Sequence, residues 1–218
     1  MLLYQLFENC AYNLPFEETG HSVNYAFVEQ NKTLYIYFQG SLQPVDWVRN
    51  FLFKKYPYKD MKIPYKVHRG FLAAWKEIED LIIEKITETE SGGYKFNHIV
   101  VVGYSHGGAL AAFCHECVWF RRPDLRESGL EGYGFEAPRI YGGRKIKEEL
   151  KERWKHFKVI RTNNDLVTHV PPKCFGFCHV GELLEVTGDT KLVKNILPRC
   201  LKSHYPQVVE DALIKYGK

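Results

Sequence analysis

Apolar positions along the chain follow two periods. HSVNYAFVEQ (21–30) and TLYIYFQG (33–40) are β-rich runs separated by Asn31-Lys32, which predicts a hairpin. Between 70 and 89, Phe71, Trp75, Ile78, Ile82 and Ile86 fall at three- and four-residue steps while charges fill the opposite face, which predicts an amphipathic helix. NHIVVVG (97–103) is continuously apolar, as expected of a strand buried on both faces of a parallel sheet. A helix is expected from Ser105 to about Phe120, then a strand in LEGYGFEAPR, a charged helix over 144–154 and a strand in HFKVIRT. GFCHVGELLEV and TKLVKN read as late strands, and SHYPQVVEDALIKY as a closing helix. Shorter elements are an amphipathic helix over 1–13 with Leu3, Tyr4, Phe7 and Ala11 on one face, a helix in VDWVRNFLF (45–53) and a strand in KIPYKVHRG. Strands alternating with helices predict an α/β layered sheet, with antiparallel strands at one edge from the N-terminal hairpin.

A chain of 218 residues suits one domain with one sizeable core, so residues 1–218 are expected to form a single compact domain. Apolar residues make up 45% and charged residues 26%, the balance of a globular protein rather than a disordered one. The net charge of +4 is compatible with transient contact with an anionic lipid surface and too small to imply nucleic-acid binding. No apolar run approaches the roughly 20 residues of a membrane span. The start, MLLYQLFENCAYNLPFEE, lacks a basic segment followed by a long apolar one, so a cytoplasmic location is expected. A mature secreted chain that has lost its signal would read the same way.

Six cysteines are present. Cys114-His-Glu-Cys117, completed by Cys174 and Cys178, could be read as a zinc set, but Cys114 and Cys117 lie one turn apart within an expected helix. Such a pair is better read as small apolar core residues, so no metal is expected.

Gly103-Tyr104-Ser105-His106-Gly107 lies between the apolar strand and the helix that follows. A strand running straight into a helix needs a sharp turn, which the two glycines leave room for. Ser105 would then project above the sheet, and the helix N-terminus would offer N–H groups where negative charge develops. A serine cap on a glycine-rich helix start is the plainer alternative. A nucleophilic serine needs a base and an orienting acid, in the order Ser, Asp or Glu, His for sheet hydrolases. Among the downstream histidines, His204 lies at the start of the last helix, where it can reach over the sheet edge. Asp165, in RTNNDLVTHVPP, falls at the C-terminal end of a strand, where open α/β sheets place functional groups. An Asx turn would suit Asp165 equally. Arg139 and His68 read as structural residues.

With these residues in place, the chain resembles the class 3 lipase family, the fungal-type lipases of the α/β-hydrolase fold. From about 20 to 206 the blocks FQGSLQPVDW, VHRGFLAAW, VVGYSHGGALA, GFEAPRI, NNDLVTHVPP, HVGELLEV and SHYPQ are similar, in order, to seven blocks of that family. The resemblance implies a mostly parallel central sheet flanked by helices, a catalytic triad of Ser105, Asp165 and His204, and an oxyanion hole at Ser41 and His106. Gln39 departs from the family's usual arginine, Tyr104 from its frequent histidine and His106 from leucine. Pro44–Phe53 stands where fungal members carry a helical lid. Trp47, Val48 and Phe51, together with Tyr104, are pocket or lid candidates, although an amphipathic stretch is more often a fixed helix against a core.

The expected activity is hydrolysis of lipid carboxylic esters, triacylglycerol foremost, without metal or organic cofactor. A short-chain carboxylesterase and a phospholipase A1 are the near alternatives, and a lipid- or partner-binding homologue without catalysis is the rival from another class.

Overall fold

In a computed structural model, residues 1–19, 23–40, 53–59, 62–90, 93–194 and 197–217 are described. The expected helix at 45–53, with Trp47, Val48 and Phe51, and the oxyanion candidate Ser41 lie outside these residues, apart from Phe53.

Among the described residues, seven strands form the central sheet. They are β1 (Glu17–Thr19), β2 (Val23–Gln30), β3 (Thr33–Phe38), then β8 (His98–Tyr104), β9 (Leu130–Phe135), β10 (Phe157–Thr162) and β11 (Glu182–Val186), side by side in that order. β1, β2 and β3 pair antiparallel, and every pairing from β3 to β11 is parallel. The β2–β3 connection is a two-residue turn at Asn31 (φ 50°) and Lys32 (φ 59°). Two successive positive φ values match the right-handed twist of the flanking strands, so the hairpin register closes on the expected pair. Two small antiparallel ribbons, β4 (Lys55–Tyr58) with β5 (Tyr65–His68) and β6 (Thr89–Glu90) with β7 (Gly93–Tyr94), lie outside the main sheet.

Helices cover both faces. α1 (Leu3–Glu8) continues into a π-helical turn, Asn9–Asn13. α2 (Arg69–Thr87) and α3 (His106–Arg121) lie on one face, while α1 and α5 (Pro206–Tyr216) lie on the other, after the short α4 (Arg199–Lys202). Alternation along β8 decides which residues meet which layer: Ile99 and Val101 join the α2/α3 core, and Val102 and Tyr104 join the α1/α5 core. All five apolar positions expected to define the inner face of α2 are buried. α3 is buried from His106 to Val118, so Cys114 and Cys117 are core residues. Cys174 is exposed and Cys178 half-buried, and the four cysteines do not gather into a ligand cluster. The fold is the mostly parallel, helix-flanked α/β-hydrolase architecture expected from the sequence.

Three expected elements differ. The helix over 144–154 is reduced to a 3-10 segment, Glu148–Trp154. The backbone just before it is pinned to β5, with Gly142 N–H donating to Lys66 O at 2.7 Å, so regular helix cannot start until that contact is left behind. The described part of TKLVKN, residues 190–194, is not a strand. β10 ends at Thr162 opposite Val186, and among the described residues no neighbouring strand lies past that point to pair with it. Instead Thr190–Leu192 forms a 3-10 turn, capped by Asp189, whose side chain accepts from Lys191 N–H at 2.9 Å. In GFCHVGELLEV only Glu182–Val186 is strand, because Gly181 takes φ 72° and turns the chain into the sheet.

Candidate active site

The C-terminal ends of β8, β9 and β10 converge on one place. β8 runs into α3 through Ser105, whose φ of 56° and ψ of −120° lie outside the regions open to most side chains. The residue is held there by its own N–H, which donates to Phe135 O on β9 at 2.8 Å. The turn is possible only because the glycines on either side of it lack side chains. A Cβ on Gly103 would lie 2.0 Å from Gly107 O, and one on Gly107 would lie 2.1 Å from Phe38 O. Both obstacles are backbone, which cannot swing aside. Gly103→Ala is therefore expected to lose about 3 kcal/mol or more of stability, read as a shifted denaturant midpoint. Gly217→Ala is the control, since its Cβ would meet only Leu213 O, at 3.5 Å. It should stay within about 0.5 kcal/mol of the parent.

Asp165 follows β10 in a tight turn. Its Oδ1 accepts from Val167 N–H at 2.9 Å, which closes an Asx turn. Its Oδ2 lies 2.7 Å from His204 Nδ1, and His204 Nε2 lies 2.8 Å from Ser105 Oγ. Ser105, Asp165 and His204 are each 2% exposed or less, so the line of contacts is shielded from water. Burial pushes the Asp165 carboxyl up, but the His204 ring and the Val167 N–H outweigh it and hold the group below the usual aspartate range. An ionised Asp165 only accepts, so Nδ1 carries the ring proton and Nε2 faces the serine as an acceptor.

His204 sits in the turn between α4 and α5, slightly before the expected helix start. Tertiary contacts fix that turn. Thr162 Oγ donates to Ser203 O at 3.0 Å, and Leu166 N–H donates to Cys200 O at 3.0 Å. Tyr104 donates its hydroxyl to His204 O and stacks on the imidazole with ring centroids 5.3 Å apart. Its other edge meets Phe7 of α1. Tyr104, expected as a pocket or lid residue, is thus a buried support for the histidine's turn. The sequence carried no signal for this role, because the contact joins residues 100 positions apart.

His106 opens α3 beside Ser105, and the first N–H groups of a helix have no acceptor within the helix. Its ring lies 5.6 Å from that of Phe71, and burial, with His68 nearby, pushes its pKa down to about 4. The side chain is therefore a neutral imidazole at neutral pH. Gly40, the last described residue before Ser41, packs against the elbow, where an added Cβ would lie 3.1 Å from Ser105 Cβ. Arg139 and His68 are structural, as expected. Arg139 donates to His169 O and Pro171 O and so braces the loop after Asp165, and His68 caps α2 by accepting from Phe71 N–H.

The family model for lipase (class 3) matches residues 35–175, close to two thirds of the chain. The chain belongs to the class 3 lipase family. A lipase of Rhizomucor miehei is 28% identical over 162 residues, covering 74% of this chain and 44% of the relative. A Fusarium solani protein, secreted mono- and diacylglycerol lipase 1, is 26% identical over 164 residues, covering 74% and 46%. The chain thus spans less than half the length of the curated relatives it matches. Among solved structures, the triacylglyceride lipase of Rhizomucor miehei superposes with a TM-score of 0.69 at 22% identity, covering 92% of this chain and 82% of that one. Tyr104 and His106, two of the departures from the family's blocks, flank Ser105 directly in the chain.

Proposed function

We propose that this class 3 lipase domain is a serine ester hydrolase acting on lipid carboxylic esters, with acylglycerols as the foremost substrates. The observation that carries the reading is the unbroken line from Ser105 Oγ through His204 to Asp165, with distances of 2.8 and 2.7 Å. In the proposed reaction His204 Nε2 takes the proton as Ser105 Oγ attacks the ester carbonyl, and Asp165 stabilises the imidazolium. The tetrahedral intermediate collapses, its alcohol leaving with the proton from Nε2. Water then repeats the cycle on the acyl-enzyme and releases the fatty acid. The oxyanion would be met by the His106 N–H at the start of α3 and, on the sequence resemblance alone, by Ser41. Each such donor is typically worth about 2.7–4 kcal/mol of transition-state stabilisation. No step needs a metal or an organic cofactor.

A mildly basic surface supports transient contact with lipid. Among the described residues no helix is long and apolar enough to cross a membrane. For location, the secreted Fusarium relative supports an extracellular chain. The deciding experiment on function is hydrolysis of p-nitrophenyl esters from acetate to palmitate. A maximum at long acyl chains is expected. Activity confined to acetate and butyrate would make the protein a carboxylesterase, and inertness toward the whole series would favour the non-catalytic lipid binder.

A further inference from the structure

Behind the line of Ser105, His204 and Asp165 lies a group that the proposed reaction does not use. Glu136 follows β9 and is fully buried. Its backbone takes φ 49°, a conformation in which glycine is the unstrained residue. Two bonds to β10 hold it there: Glu136 N–H donates to Ile160 O at 2.7 Å, and Glu136 Oε1 accepts from Thr162 N–H at 2.6 Å. Among the described residues no donor faces the other oxygen, Oε2. What lies beside it is the Asp165 carboxyl, one oxygen of which falls within 4.8 Å of a Glu136 oxygen. One ligand-type atom from each of Glu136, Asp165 and His204 falls within a cluster 4.8 Å across.

Two ionised carboxylates can only accept, so a buried pair this close is stable only if one of them carries a proton and donates it to the other. Asp165 already accepts N–H bonds at both oxygens, from Val167 and His204, which stabilises its charged form. Glu136 accepts a single backbone N–H, and its second oxygen has no donor. The proton therefore belongs on Glu136 Oε2. We propose that Glu136 is a positioning residue of the active site, a buried neutral carboxylic acid that donates to Asp165 and completes a relay of Ser105, His204, Asp165 and Glu136.

The electrostatics agree in direction. Burial first, then the Asp165 charge and the bond between them, hold the Glu136 carboxyl well above the usual carboxylate range. The groups facing it are Asp165 from the turn after β10, Thr162 from β10, Tyr104 from β8 and His204 from the α4–α5 turn. As a third donor to Asp165, Glu136 would stop that carboxylate from rotating away from His204 Nδ1. As a neutral group it would do so without adding a second negative charge beside the imidazole.

The inference rests on the triad reading, and its test separates the two. Initial rates on p-nitrophenyl esters would be followed against pH for the parent, Glu136→Gln and Glu136→Ala. The glutamine amide can accept from Thr162 and donate to Asp165, so E136Q should keep kcat within about threefold and leave the acidic limb of kcat/KM unmoved. E136A removes the donor. Its kcat should fall about tenfold with little change in KM, and its acidic limb should move to higher pH, because a less satisfied Asp165 favours the imidazolium. If Glu136 were charged, both variants would remove a negative charge, and both limbs would move to lower pH by about half a unit or more. That result, or an E136A indistinguishable from the parent, would overturn the inference.

Infrared spectroscopy supplies a readout independent of turnover and of whether E136A folds. The C=O stretch of a protonated carboxylic acid should be present at neutral pH in the parent, absent in E136Q and retained in Asp165→Asn. A parent without the band, or a band lost in D165N, would also overturn the assignment. A parent protein inert toward every ester would remove the triad reading instead, and the infrared bands would still decide the state of Glu136.

Discussion

Ser105→Ala is expected to remove ester hydrolysis almost entirely, with kcat falling on the order of a millionfold. The magnitude follows from the division of labour at the elbow. Ser105 Oγ is the atom in contact with His204 Nε2, and without it the histidine has no proton to take and the acyl group no oxygen to bond. What would remain is the weak catalysis of water bound beside oxyanion donors. The fold should survive. Alanine keeps the N–H that donates to Phe135 O, its Cβ occupies the position of the serine Cβ, and the positive φ is shared by both residues. Circular dichroism and melting temperature should match the parent within the effect of about 1 kcal/mol. A fluorophosphonate should label the parent at Ser105 with loss of fluoride and leave the variant untouched. If S105A hydrolysed esters at the parent's rate, Ser105 would be a helix-start residue and the hydrolase reading would fail.

The second large effect is expected of Asp165→Asn, at roughly a 10⁴-fold loss in kcat, by analogy with the same change in serine proteases. The amide is nearly isosteric, and its Oδ1 can still accept from Val167 N–H, so the turn after β10 should persist. The chemistry changes at the other atom. An NH₂ group in place of Oδ2 would donate toward His204 Nδ1, forcing the ring proton onto Nε2. A protonated Nε2 cannot accept from Ser105, so the nucleophile stays a neutral hydroxyl. Steady-state kinetics should show the loss in kcat with KM little changed. A loss below about tenfold would mean that Asp165 serves the turn alone.

The same position also governs acid stability, with a sign that can be checked. The Asp165 carboxyl is held below its ordinary range in the folded protein. It therefore contributes stability above its unfolded pKa, and that contribution is lost as pH falls through the lower folded value. The parent should lose part of its advantage over D165N below about pH 4. Glu136 works in the opposite direction. Its folded carboxyl is raised, so its contribution is complete below the unfolded pKa and declines as pH rises above it.

Local patterning along the chain was sufficient for the α/β layering, the edge hairpin and the strand-turn-helix around Ser105. These features depend on neighbours in sequence: a period of two in β2 and β3, a period near 3.6 in α2, and glycines flanking the serine. The serine, aspartate and histidine could be singled out because each lies at the end of an element whose type was legible. The lengths of the late elements were not legible. A strand ends where its partner ends, and a helix starts where the preceding backbone is released, as at Val186 and Gly142. Tyr104 under the His204 turn and Glu136 behind Asp165 belong wholly to the tertiary structure. Glu136 lies 29 positions from Asp165 in the chain, and it reaches the aspartate because β9 and β10 run parallel and in register. Sequence thus carried what local geometry and the order of elements dictate. Which buried groups share a proton or a hydrogen bond was decided only when the parallel strands brought their C-terminal ends together.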